Sequence, residues 1–203
     1  DGTYYFYFPH PSDTKWNNSW KIGVATSKEP AANFTVQGYI EGMDPLIDPC
    51  VFVDDDGQAY IYNGGGRICK GGKLKDNMVE LDGEMKEMEG LEDFHEATWV
   101  HKYNGNLSYS DNHDENWNDG VKGDNRMRYA ISDNPLGPWK SMGIYMEPTD
   151  SYTNHGSIVE YKGQWFAFYH NSALSNHDWL RSICVDKLYY NEDGTIQMVK
   201  QRK

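Results

Sequence analysis

Apolar and aromatic residues along the chain form short runs that are separated by glycine turns. Four segments share a glycine turn that leads directly into an aromatic run: Asp1–Phe8, Asp56–Tyr62, Asn104–Tyr109 and Lys162–Tyr169. Asp-Gly and Asn-Gly between apolar runs are strong short-range signals for β-hairpins. The turn glycines at positions 2, 57, 105 and 163 are 55, 48 and 58 residues apart, within the range of propeller blade repeats. The pattern therefore predicts a repeated β-hairpin unit.

The residues before three of these turns form short apolar runs that are typical of the innermost strand of a propeller blade. These candidate inner strands are Ile47–Val53, Ala97–Tyr103 and Ser157–Tyr161. Alternating runs at Lys21–Ser27 and Met127–Ser132 lead into proline-containing exits. We therefore expect a unit of inner strand, glycine turn, second strand and third strand, followed by a proline-rich exit.

No stretch of the chain keeps a sustained helical period. Lys73–Gly90 comes nearest and is better explained as an acidic loop. The patterns predict an all-β fold, with a β-propeller as the architecture and a β-sandwich of similar turn spacing as the alternative. Because Asp1 already belongs to a turn, we expect a single domain over residues 1–203 that is incomplete at its N-terminus.

Three titratable residues stand at the heads of the candidate inner strands. Asp48 precedes Pro49, Glu96 lies between His95 and the next strand, and His155 precedes the third strand. Since the innermost strands of a propeller line its central channel, Asp48, Glu96 and His155 are expected to converge at one mouth of that channel.

The charge of the chain narrows the choice of partners. The formal net charge is −12 at pH 7 over 203 residues, which disfavours nucleic acid and anionic membranes as partners. A neutral polysaccharide is not repelled, and the 15 Tyr and 7 Trp offer surfaces for the apolar faces of sugar rings. The three cysteines are too few for a disulfide framework and are expected to be small buried hydrophobes.

The two carboxylates have both a chemical and a structural interpretation. Glu96 lies close in sequence to Phe94 and Trp99, and apolar surroundings raise the pKa of a carboxyl group, as a general acid requires. A solvated glutamate at a strand end is the alternative. Asp48, which precedes Pro49, is also explained as a turn former.

The remaining candidates are equally open from position alone. His155 is a core histidine, a metal ligand or a substrate contact, and Arg181 is a surface charge or a donor to sugar hydroxyls. The acidic segment Asp111–Asp124 lacks the ligand spacing of an EF-hand, so we interpret it as a solvated loop at the channel rim.

Five motifs occur in one order along nearly the whole chain: Ile47–Pro49, His95–Ala97, Ser132–Trp139, Asn154–Ser157 and Arg181–Ile196. Taken together, they resemble glycoside hydrolase family 43, the five-bladed propellers of the arabinofuranosidase, β-xylosidase and arabinanase group. The resemblance implies a five-bladed propeller of which this chain carries about four blade equivalents.

The resemblance also implies roles for the candidate residues. Glu96 matches the general acid, and Asp48 matches the aspartate that orients this acid and raises its pKa. His155 matches a channel histidine that contacts a central Ca²⁺ directly or through water, and it is also a candidate for substrate contact. Arg181 matches, more loosely, an arginine that contacts substrate. Trp99, near the acid in sequence, is a further candidate for substrate binding.

The implied reaction is the inverting removal of α-L-arabinofuranosyl or β-D-xylosyl units from arabinoxylan or xylan in the plant cell wall. The family's general base, an aspartate, is expected on the order of 50 to 100 residues before Asp1, given blade repeat lengths. The segment Asn104–Tyr109 departs from the longer aromatic strand that is usual in the family.

Two other functions are compatible with the same sequence. Without its base, the chain is a catalytically inactive propeller that binds carbohydrate, and a vestigial scaffold is a third interpretation. An open ring would leave the strand at residues 1–8 as a free sheet edge, so self-association is expected there. The implied substrate suggests a secreted or periplasmic location, with a cytoplasmic one left open.

Overall fold

The computed structural model describes residues 2–11, 20–113 and 125–202. All the secondary structure elements assigned in these ranges are β-strands. The described residues include no helix that is long and apolar enough to cross a membrane. The strands form antiparallel sheets of three or four members, which confirms the predicted all-β class. The chain divides into two compact units, Asp1–Glu87 and Met88–Lys203, which are described in turn.

The first unit contains two sheets whose strands are paired in chain order. One sheet consists of β1 (Tyr4–Pro11), β2 (Trp20–Ser27) and β3 (Thr35–Tyr39), and the other of β4 (Ile47–Val53), β5 (Ala59–Gly65), β6 (Ile68–Lys73) and β7 (Lys86–Glu87). Ile22 and Val24 of the first sheet and Ile61 of the second share one core cluster with Leu74. Strand β1 lies at a sheet edge, and the predicted association through that edge stays a prediction.

The second unit has the same plan. Its sheets consist of β8 (Glu96–Tyr103), β9 (Asn106–His113), β10 (Arg126–Ser132) and β11 (Lys140–Met146), and of β12 (Ser157–Tyr161), β13 (Gln164–Asn171) and β14 (Ser182–Leu188). Met127 and Tyr145 of the first of these sheets pack in one buried cluster with Ile158 and Leu188 of the second.

Three of the four predicted glycine turns, at Gly57, Gly105 and Gly163, are confirmed as hairpins, and the fourth, Asp1–Gly2, includes a residue outside the described ones. The turn between β8 and β9 consists of Asn104 (φ 48°) and Gly105 (φ 83°), and the turn between β12 and β13 of Lys162 (φ 52°) and Gly163 (φ 80°). Two successive positive φ angles define the type I′ turn, whose twist matches that of the flanking strands. Asp54–Gly57 likewise forms the turn between β4 and β5, where the Gly57 N–H donates to the Asp54 carbonyl at 2.9 Å.

The predicted inner strands coincide with β4, β8 and β12, each the first strand of its sheet, but the three-strand unit was wrong. Two sheets have a fourth strand, β7 within Lys73–Gly90 and β11 after the proline-containing segment that was taken as an exit. Strand β7 is only two residues long and exposed, and β11 pairs with register shifts, so neither shows the clean alternation that marks a strand in sequence. The predicted rim loop Asp111–Asp124 begins inside β9 and otherwise lies outside the described residues.

Candidate active site

Strand β4 contains a β-bulge at the residue predicted to assist the acid. Ile47 pairs with Gly64 and Cys50 with Tyr62, so three steps along β4 correspond to two along β5. Asp48 lies inside this bulge with a φ of 53°, in the left-handed region that few side chains adopt.

Strand β8 carries the same irregularity at the predicted general acid. Glu96 pairs with Asn112 and Trp99 with Ser110, again three steps against two. Ala97 occupies the left-handed region with a φ of 67°. Asp48 and Ala97 therefore take equivalent places in the two bulges, and Glu96 stands one position earlier than Asp48 in this shared pattern.

These bulges support a functional interpretation of both strand heads. A bulge re-aims the neighbouring side chains, and such irregularities are concentrated next to active sites. A non-glycine residue in the left-handed region costs on the order of 1 to 3 kcal/mol, which the surrounding structure has to offset. Asp48 and Glu96 are both half-buried, so each combines partial access to solvent with a fixed backbone.

The loop that leads into Glu96 is held against the sheet. The Trp139 N–H donates to the Glu89 carbonyl at 2.8 Å, and a Cβ added to Gly90 would lie 1.9 Å from the Trp139 carbonyl oxygen. Farther along the loop, the Arg128 guanidinium contacts the Asp93 carboxylate at 2.6 Å. These contacts fix the loop from both sides before it enters β8.

The motif Ser132–Trp139 thereby acquires a structural role. The Gly137 N–H donates to the Asn134 carbonyl and the Leu136 N–H to Asn134 Oδ1, both at 2.9 Å. This turn presents the buried Trp139 to the loop before Glu96. The motif therefore positions the predicted acid indirectly, through the loop.

Strands β8 and β12 run in the same direction in the second unit. The Trp99 indole N–H donates to the Ile158 carbonyl at 3.0 Å, and the Tyr103 ring packs against Trp165, which pairs with Glu160. A later residue of β8 therefore lies beside a later residue of β12, as expected for two strands that run in the same direction. Since Glu96 precedes Trp99 by three residues, as His155 precedes Ile158, the heads of the two strands lie at the same end.

The segment that carries His155 is tied down at several points. Asn125 accepts the Thr149 N–H at 2.8 Å and donates to the Ser151 carbonyl. Ser172 contributes its backbone N–H to the Asp150 carboxylate at 2.9 Å. These side chains and backbone groups come from different elements, so residues 149–151 are fixed before the chain reaches His155.

Arg181 and a second histidine complete this site. Arg181 Nη2 donates to Thr153 Oγ1 at 3.1 Å, and Nε2 of the buried His170 lies 2.9 Å from the Thr153 carbonyl. Asn154 Oδ1 accepts from the backbone N–H groups of His155 and His170, at 3.0 and 3.3 Å. The structure therefore brings His155 and Arg181, two of the predicted site residues, together around Thr153, Asn154 and His170.

The electrostatics of the site keep His170 neutral. Burial first, and then the positive charge of Arg181 and the nearby His155, lower the pKa of His170 to about 4 against an opposing effect of the hydrogen bond to the Thr153 carbonyl. Because the neutral ring has one N–H and one lone pair, His170 can orient Thr153 without adding charge. The side chain of His155 is exposed, which excludes the interpretation as a core histidine; substrate contact and metal binding stay predictions.

Asp48 belongs to the first unit, where its surroundings are also ordered. The amide of the buried Asn63 donates to the carbonyls of Asp44 and Leu46, at 3.0 and 3.3 Å. Lys70 forms an ion pair with Asp44 at 2.9 Å. The approach to Asp48 is thus fixed by its own sheet, and the predicted effect of Asp48 on Glu96 stays a prediction.

The described residues do not supply a metal site of their own. Within residues 2–11, 20–113 and 125–202, no three His, Cys, Asp or Glu side chains are grouped so that they could hold a metal ion. His155 stands near the cationic Arg181 and the ring of His170, whereas Ca²⁺ prefers a shell of oxygen ligands. A calcium ion at His155 would depend on water for most of its ligands.

Sequence reasoning missed His170, Asn125 and the roles of Thr153 and Asn154. His170 lies within an aromatic strand, and only the pairing of β13 with its neighbours brings it to the site. The indole N–H of Trp99 donates to the Ile158 carbonyl, and its ring is half-buried against the core of the second unit. The role of Trp99 as a substrate contact stays a prediction.

Comparison with known proteins identifies a family. The sequence model of Glycosyl hydrolases family 43 matches residues 1–196. A β-xylosidase of Xylanibacter ruminicola is 33% identical over 98% of this chain and 72% of its own length. A xylosidase/arabinosidase of Bacteroides ovatus is 32% identical over 97% of this chain and 69% of its own length.

Solved structures agree with these relatives. A β-xylosidase/α-arabinofuranosidase from a compost microbial metagenome, crystallised with xylotriose in a calcium-free form, has a TM-score of 0.83 and 33% identity, covering 98% of this chain and 70% of its own. An enzyme of Xanthomonas citri in complex with xylotriose has a TM-score of 0.86 and 28% identity, covering 98% of this chain and 69% of its own.

Proposed function

Because the chain belongs to glycosyl hydrolases family 43 and is therefore a glycosidase, we propose that it removes β-D-xylosyl or α-L-arabinofuranosyl units from xylan and arabinoxylan. The relatives named β-xylosidase and xylosidase/arabinosidase support this substrate class. The choice between the two sugars depends on the residues that contact the terminal unit.

The observation that carries the proposal is the common end of β8 and β12. The carboxyl group of Glu96 begins one strand and His155 precedes the other, beside the guanidinium group of Arg181. Arg181 uses two of its N–H groups in the described contacts, with Asp178 and Thr153, and a guanidinium has five. The others suit hydroxyl oxygens of a sugar.

In the proposed reaction, Glu96 protonates the glycosidic oxygen as the bond to the anomeric carbon breaks. A carboxylate base activates water on the opposite face of the sugar, and the configuration inverts through an oxocarbenium-like transition state. Asp48 is proposed to hold Glu96 protonated by its negative charge. The base itself is assigned to the family's aspartate and to none of the residues discussed above.

The test is an assay of the enzyme on nitrophenyl β-D-xyloside, nitrophenyl α-L-arabinofuranoside and wheat arabinoxylan. Release of xylose or arabinose is expected, and NMR of the first product should show the anomer opposite to that of the substrate. Binding of xylo-oligosaccharides without turnover would favour the carbohydrate-binding alternative, and a product of retained configuration would contradict the mechanism.

For the architecture, we propose that the four described sheets are blades of a five-bladed propeller. The support is the repeated meander of consecutive strands, with β4, β8 and β12 in equivalent first positions. An experimental structure of the enzyme would test the blade number and whether Asp48 reaches Glu96.

A calcium ion near His155 is proposed only as a structural ion with a shell made largely of water. It would fix the channel segment around His155 and would take no part in bond breaking. Addition of a chelator should then lower the melting temperature and leave the pH optimum unchanged; an unchanged melting temperature would speak against the ion.

A further inference from the structure

The loop between β13 and β14, residues 172–181, is held in one conformation by hydrogen bonds within itself. Ser175 Oγ donates to the Leu180 carbonyl at 2.7 Å and accepts the His177 N–H at 3.1 Å. The Leu180 N–H donates to the His177 carbonyl at 2.9 Å, and the Trp179 N–H to His177 Nδ1 at 3.3 Å. The backbone on both sides of Trp179 is therefore fixed.

Both ends of the loop are attached to the segment that carries the site. At one end, the buried Ser172 donates its hydroxyl to the Asp150 carbonyl at 3.1 Å. At the other end, Arg181 contacts Thr153 at 3.1 Å. The loop and the His155 segment consequently form one structural piece, and Trp179 is two residues from the proposed sugar-binding guanidinium.

This fixed loop presents large apolar side chains to solvent. Trp179 is 79% exposed and Leu180 is 64% exposed. Trp179 and Leu180 are neighbours in sequence, and contiguous exposed apolar surface is typical of surfaces that bind ligands or other proteins. Because its backbone is already fixed, Trp179 would lose only side-chain freedom when it binds, which favours affinity.

We propose that Trp179 binds a sugar unit on the leaving-group side of the scissile bond and so determines the preference for oligosaccharides over small glycosides. The inference rests on the proposed function, since it places the substrate chain next to Arg181. An indole face is suited to the apolar C–H face of a pyranose ring, and the neutral xylan chain is not repelled by a protein with a net charge of −12.

The experiment compares two substrates that differ on the leaving-group side. Xylotetraose carries sugar units there, whereas β-xylosyl fluoride carries only fluoride. Trp179→Ala should lower kcat/KM for xylotetraose about tenfold, the usual scale for loss of an aromatic anchor, and change the rate on the fluoride less than twofold. Trp179→Phe should restore most of the loss.

Leu174→Ala is the matched control, because Leu174 is 89% exposed on the same loop and lies farther from Arg181 in sequence. It should behave like the wild type on both substrates. Binding of xylotetraose to Glu96→Gln enzyme, measured by calorimetry, should weaken about tenfold when Trp179→Ala is added.

Unchanged kinetics and binding of Trp179→Ala with xylotetraose would overturn the inference, as would an equal loss on both substrates. Failure of the proposed function gives a different result. In that case, the wild type releases no pentose from any substrate, and the calorimetric comparison still decides whether Trp179 binds the saccharide.

Discussion

At the scale of single residues, the backbone of Asp48 is the most telling feature. Its φ of 53° lies in a region that Asp and Asn tolerate better than other non-glycine residues. This fact alone would suit a turn former. The bulge in β8 repeats the geometry with Ala97, however, and a turn-forming side chain is absent there. The bulge is therefore retained without a carboxylate, and the carboxylate of Asp48 needs a separate explanation.

Asparagine and valine at position 48 should separate shape from charge. Asp48→Asn keeps the tolerance for the left-handed region, so its melting temperature should stay within about 2 °C of the wild type. If Asp48 raises the pKa of Glu96 by its charge, Asp48→Asn should lower kcat. The limb of the pH–rate profile that reports deprotonation of Glu96 should then move to lower pH. Asp48→Val should unfold at a lower temperature because a β-branched residue is strained there. Full activity of Asp48→Asn would reassign the residue to the turn.

Replacement of Glu96 by glutamine tests the acid directly. Glu96→Gln removes the proton donor with little change of shape, so the rate on xylotetraose should fall by about 10² to 10⁴. The rate on β-xylosyl fluoride should fall much less, since fluoride leaves with little need for protonation. Similar losses on both substrates, measured as kcat, would contradict the role of general acid.

At the scale of elements, the site depends on loops that are held by distant side chains. The inner strands and glycine turns could be predicted because their sequence signals are local: a short apolar or aromatic run and an adjacent turn glycine. The contact of Trp139 with Gly90 and the approach of His170 to Thr153 could not, because each joins residues that only the strand pairing brings together. Strands β7 and β11 were missed for a different reason, since short, irregular outer strands show little alternation.

Gly90→Ala should disturb the loop before Glu96. The added Cβ would overlap the Trp139 carbonyl oxygen, which is backbone and cannot rotate away, so the loop has to move. We expect a loss of stability of about 1 to 3 kcal/mol beyond the backbone strain, together with a lower kcat. Gly143→Ala is the control, because Gly143 also has positive φ and a Cβ there meets no atom within 4 Å. Equal melting temperatures and rates for the two variants would refute the positioning role of the loop.

At the scale of the whole molecule, buried neutral histidines link stability to pH. Burial lowers the pKa of His101 to about 3, while its Nε2 lies 2.6 Å from the Tyr190 hydroxyl. His170 is lowered to about 4 by burial first and then by Arg181. In the unfolded chain, both would titrate near pH 6.5, so below that pH the unfolded state binds more protons than the folded state.

The burial of these neutral histidines should therefore cause no loss of stability above about pH 6.5. The free energy of unfolding should fall as the pH drops from there towards 4. Each histidine contributes at most about 1.4 kcal/mol per pH unit in this window. His101→Phe removes one titrating group, so urea unfolding between pH 6.5 and 4 should show a shallower decline than the wild type. An equally steep decline would mean that His101 does not stay neutral in the folded state.

The fixation of residues 149–154 by Asn125, Ser172 and Arg181 has a consequence for how this protein tolerates sequence change. Because the three tethers hold the same short segment, the loss of any one leaves the other two in place, and its effect is partly masked. Loss of two together should exceed the sum of the single effects. Single substitutions among these three residues should therefore be tolerated during evolution. A second substitution should be tolerated only after the first has been reversed or compensated.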